Sequence, residues 1–81
     1  MPEDYYGFMD YRFTIVIEPC EEGGYYAECP SLQGCHVQGE TYEGALEEMR
    51  AAIKAILEDY QKSGESIPED QVTVTSLKVA V

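Results

Sequence analysis

The chain's 81 residues leave room for one small domain, and no apolar run approaches the ~20 residues a membrane-spanning helix needs. Sixteen acids against five bases give a net charge of −11, and the bases (Arg12, Arg50, Lys54, Lys62 and Lys78) are scattered. With no basic stripe to neutralise phosphates, direct nucleic-acid binding is disfavoured; the charge suits a basic protein partner, drawn in by electrostatic steering.

The opening MPEDYYGFMD begins with acids, not with a basic segment ahead of an apolar one, so it does not read as a secretory signal. The expected location is the cytoplasm. Residues 1–9 are expected to form a flexible lead, with 10–81 as the single domain. A chain this short buries only about 60% of its unfolded surface, so self-association as a dimer or tetramer is expected to assist it.

Tyr11 to Glu18 alternates, with Tyr11, Phe13, Ile15 and Ile17 on one face and Arg12, Thr14, Val16 and Glu18 on the other. Pro19 and the Glu21-Glu22-Gly23-Gly24 turn make it the first arm of a hairpin. A second strand follows over Tyr25–Cys29, with Tyr25, Ala27 and Cys29 facing one way and Tyr26 and Glu28 the other. Pro30 ends that run, Ser31 to Gly34 turns, and Cys35–Gly39 is a third short strand.

Thr41 stands where a helix N-cap belongs, and a helix is predicted from Tyr42 to about Lys62. Leu46, Met49, Ile53, Ile56, Leu57 and Tyr60 give it one apolar stripe, with Ala45 and Ala52 allowing close approach to the sheet. Its Met and Tyr follow the stripe's period and read as core. Gly64 is the expected left-handed stop. After Pro68, Gln71 to Val79 is predicted as a final strand rich in β-branched residues. Val72 and Val74 share one face there and Leu77 and Val79 the other, implying a bulge or burial on both faces. Leu77, Val79 and Val81 are candidates for a subunit interface. The order is β-β-β-α-β: an α+β fold made of a three-stranded antiparallel meander, one helix and a C-terminal strand.

The run of Gly23, Gly24, Tyr25, Pro30, Leu32, Gly34, Cys35, Gly39, Thr41, Ala45 and Leu46 resembles the HicB-like antitoxin family. The likeness extends upstream into Tyr11–Glu18 and downstream through Pro68. It departs at Gly44, where the family often has an acid that would complete a capping box with Thr41. The resemblance implies a truncated ribonuclease-H-like fold. It also implies a non-catalytic role: neutralising a HicA-like toxin, a small basic mRNA-cleaving protein, by covering its active and RNA-binding surface. Many family members carry an added DNA-binding module. Residues 65–81 hold one lysine and a strand pattern, so that module is not expected here.

Catalytic chemistry finds few carriers. His36 neighbours Cys35 on one strand, and adjacent strand residues point apart, which denies a direct Cys–His pair. Cys20, Cys29 and Cys35 lack paired zinc-ligand spacing, so they read as free thiols with no metal or cofactor. A two-metal nuclease needs clustered carboxylates on the sheet, yet Asp10, Glu18, Glu28 and Glu40 fall before strands or at their ends. The acids Glu21, Glu22, Glu28, Glu40, Glu43 and Glu47, with His36, are instead expected to meet a basic partner, with the helix-free sheet face as the expected contact. The rival reading is a homo-oligomeric regulatory or structural domain of the same fold without a toxin.

Overall fold

A computed structural model describes residues 10–81; the lead expected over 1–9 lies outside the described residues. Strands β1 (Val16–Pro19), β2 (Tyr25–Glu28) and β3 (His36–Gly39) precede one helix, α1 (Tyr42–Ser63). The strands form an antiparallel sheet in the order β1-β2-β3, and α1 packs across β2 and β3.

The predicted alternation sorts the two faces. Ala27, Cys29, Leu32, Cys35, Ala45 and Met49 form the buried core, with Phe13, Ile15, Ile17, Tyr25, Val37 and the helix stripe packed around it. Ala45 and Gly39 fix how close the layers come: a Cβ on Gly39 would stand 2.5 Å from the Ala45 nitrogen. No side chain fits between these backbones. Gly24, at φ 81°, lies beside the same junction, where a Cβ would meet the Gly39 carbonyl oxygen at 2.8 Å.

The helix ends follow the sequence. Thr41 Oγ1 accepts the Gly44 N–H at 2.9 Å, so the N-cap forms without the missing capping-box acid. Gly64 adopts φ 75° and its N–H donates to the Gln61 carbonyl, closing the C-terminal turn.

Two strand expectations need correction. The first strand begins at Val16, not Tyr11, because Val16 pairs with Glu28, the last residue of β2. Beyond Glu28 the chain turns, with Leu32 N–H donating to the Cys29 carbonyl, so the pairing of β1 with β2 begins at Val16. Thr14 donates its N–H to Asp70 instead. The shortened β1 also places Glu18 inside the strand, third of its four residues, not at its end.

The second correction concerns the final strand. No strand forms over Gln71–Val79, because a strand is stable only when its backbone groups find a ladder, and among the described residues none pairs with this segment. The chain is held at Asp70 and then leaves the body, with Val74, Leu77, Val79 and Val81 each at least 74% exposed.

Candidate partner-binding surface

The face of the sheet turned away from α1 carries two cross-strand rows. Val16, Glu28 and His36 stand opposite one another in one row, and Glu18, Tyr26 and Gln38 in the other. Tyr26 is the centre of this surface. Its hydroxyl donates to Glu28 Oε1 at 3.1 Å, and its ring lies over His36 with centroids 5.9 Å apart and planes tilted by 30°. Partial burial, the hydrogen bond to Glu28 and the charges of Glu28 and Glu18 push the Tyr26 phenol above its ordinary value. Tyr26 therefore stays a neutral hydrogen-bonding ring between two acids at neutral pH.

The seven expected contact residues fall into three places. Glu28 and His36 are on this outer sheet face. Glu21 and Glu22 lie in the β1–β2 turn, where Gly23 N–H donates to the Cys20 carbonyl at 3.1 Å. That turn faces Glu40 across a hollow of about 490 Å³ lined by Cys20, Glu22, Gly24, Tyr25 and Glu40. Glu43 and Glu47 are exposed on α1, on the opposite layer, and Glu47 approaches Arg50 at 3.8 Å. These residues therefore do not share one flat surface. Tyr26, Glu18 and Gln38 were not among the expected contacts. The strand parity that placed Glu28 outward also places Tyr26 and Glu18 there.

The sulfurs are kept from this surface. Cys35 sits 3.6 Å from the Met49 sulfur on the helix side, while its neighbour His36 faces outward. Burial pushes the Cys29 and Cys35 thiols up, so both remain protonated and inert. Among the described residues no three His, Cys, Asp or Glu side chains converge as a metal site, and no helix is long and apolar enough to cross a membrane.

Comparison with known proteins bears on what such a surface is for. The family described as "HicB-like antitoxin of bacterial toxin-antitoxin system" matches residues 13–79. The chain belongs to the HicB-like antitoxins. The match takes in all three strands, α1 and most of the segment after it.

Relatives span distant organisms. UPF0150 protein ssr1765 of Synechocystis sp. is 35% identical over 71 residues, covering 88% of this chain and 90% of that protein. UPF0150 protein Ta0767 of Thermoplasma acidophilum is 39% identical over 59 residues, 73% of this chain and 86% of the relative. Antitoxin HicB 1 of Photorhabdus laumondii is 39% identical over 57 residues, which is 70% of this chain but 37% of that longer protein. No solved structure matches the chain. For this HicB-like domain, the family implies a toxin as the kind of partner and a regulatory role in place of catalysis.

Proposed function

We propose that this antitoxin neutralises a small, basic, HicA-like mRNA-cleaving toxin by seating its outer sheet face over the toxin's active and RNA-binding surface. The observation that carries this reading is the Glu18–Tyr26–Glu28 arrangement. Two acids flank an aromatic ring on the one sheet face that α1 leaves uncovered, in a chain of net charge −11. Tyr26 supplies a rigid apolar anchor with a polar tip, the residue type that dominates interface energetics. Glu18, Glu28 and His36 meet the toxin around it. Glu21, Glu22, Glu40, Glu43 and Glu47 lie to the side and act at longer range, steering a basic partner during encounter. Neutralisation is steric and electrostatic, and the antitoxin itself cleaves nothing.

Co-expression with a small, basic, HicA-like toxin tests the proposal. The expected result is a stable complex, growth rescue and loss of RNA cleavage in the purified complex. Separate elution of the two proteins with RNA cleavage undiminished would overturn it.

A further inference from the structure

Three sulfur atoms meet under the turn between β2 and β3. Cys29 and Cys35 stand opposite one another, one step beyond the Glu28–His36 pair, with the Cys29 N–H donating to the Cys35 carbonyl at 2.9 Å. Their thiols are in hydrogen-bonding contact with each other, and the Cys35 sulfur lies 3.6 Å from the Met49 sulfur of α1. Cys29 and Met49 are each 1% exposed and Cys35 4%, so all three are shielded from solvent.

Packing alone accounts for a thiol in a core, since cysteine fills space as a small hydrophobe. It does not require the backbone found around Cys29. After Pro30 the chain folds back so that the Ser31 and Leu32 N–H groups donate to the Cys29 sulfur. Two N–H donors aimed at one sulfur suit a thiolate, the form that binds a metal and that burial otherwise disfavours. Such outer partners orient and tune a ligand in a dry site. The donor set also selects the ion. Thiolate and thioether are soft ligands and favour Cu(I), whereas structural zinc takes four ligands. Among the described residues no third His, Cys, Asp or Glu joins the two cysteines, so a zinc set is incomplete. Spacing agrees. Metal–sulfur bonds of about 2.3 Å put the sulfurs of a trigonal site about 4 Å apart, near the 3.6 Å between Cys35 and Met49.

We propose that Cys29, Cys35 and Met49 form a buried trigonal site for one Cu(I) ion. On binding, the two thiols give up their protons to solvent as two S–Cu bonds form, and Met49 adds a third bond through a sulfur lone pair. Copper stays monovalent, so nothing is oxidised or reduced. Two thiolates and one Cu(I) leave a single negative charge, which the Ser31 and Leu32 N–H groups face. The way in runs past Met49, which lines a groove of about 230 Å³ with Phe13, Ile15, Leu46 and Ile53. The bound ion ties the β2–β3 turn to α1, and an ion held by the folded chain alone raises its stability. The site lies on the helix side of the sheet, away from the Glu18–Tyr26–Glu28 face, and does not depend on the toxin.

Anaerobic titration with Cu(I) as its bicinchoninate complex tests the site, on the full chain carrying Cys20→Ser so that the half-buried thiol takes no part. One ion per chain is expected to transfer from the chelator and to raise the thermal midpoint. Copper X-ray absorption should then show three sulfur neighbours at about 2.3 Å. Met49→Leu, a volume-conserving change that keeps the core filled, is expected to leave two sulfur neighbours. Its affinity should fall about 10- to 100-fold or more, the loss already found for outer partners of a metal site. Cys35→Ser is expected to abolish transfer. No transfer to the Cys20→Ser chain would overturn the proposal. So would an unchanged affinity and spectrum in Met49→Leu, or one ion shared between two chains.

Discussion

Asp70 Oδ2 accepts both the Thr14 N–H at 3.1 Å and the Thr14 hydroxyl at 2.6 Å, joining positions 56 apart in the chain. Its other oxygen accepts the Ser31 hydroxyl at 2.7 Å. One carboxylate thus ties the segment after α1 to the lead into β1 and to the turn after β2. The Thr14 and Ser31 hydrogen bonds hold the Asp70 carboxyl below its ordinary value of 3.8. A depressed folded-state value means that the stabilisation is fully present above 3.8 and is lost as pH falls through the lower, folded value. Urea midpoints measured across the acid range should therefore show the wild type's advantage over Asp70→Asn, present at neutral pH, shrinking as the pH falls through this window.

The contact of Gly39 with Ala45 makes a second, sharper prediction. A Cβ at position 39 would lie 2.5 and 2.8 Å from the Ala45 nitrogen and Cα, both backbone atoms of a fully buried residue. Neither layer can yield alone, so Gly39→Ala should cost about 1–3 kcal/mol, the usual range for overpacking. Chemical denaturation checks this, and an unchanged midpoint would show that the helix is free to shift.

The three thiols should react unequally. Cys20 is half-buried, whereas Cys29 and Cys35 are 1% and 4% exposed with thiols raised by burial. Thiolate is the reactive form, so alkylation of the native protein at neutral pH should label Cys20 first. Mass spectrometry should find one adduct under native conditions and three in denaturant.

Much of this arrangement is legible in the residues themselves. The outward placement of His36 and the inward placement of Cys35 follow from period-two alternation, and Thr41 and Gly64 mark the helix ends by their backbone chemistry. Local pattern does not carry the length of a strand. Tyr11 to Ile15 alternates as well as Val16 to Glu18 does, but only the latter residues lie opposite β2. The segment over Gln71–Val79 shows the same limit: β-branched residues prepare a strand, and a neighbouring ladder is needed to form one. The Asp70 clamp is invisible in sequence because it depends on bringing Thr14 and Ser31 together across the fold. The Tyr26 surface lay within reach, since parity alone puts it beside Glu18 and Glu28.

The most direct test of the partner surface is to measure the association and dissociation rates of the toxin complex for two double variants. Tyr26→Ala with Glu28→Gln removes the centre of the outer sheet face and should speed dissociation about tenfold or more. Glu43→Gln with Glu47→Gln removes charge from the helix layer and should slow association and weaken its salt dependence while dissociation stays close to wild type. A sheet-face variant that holds the toxin as tightly as the wild type, with the helix variant releasing it quickly, would contradict the account and move the contact to α1.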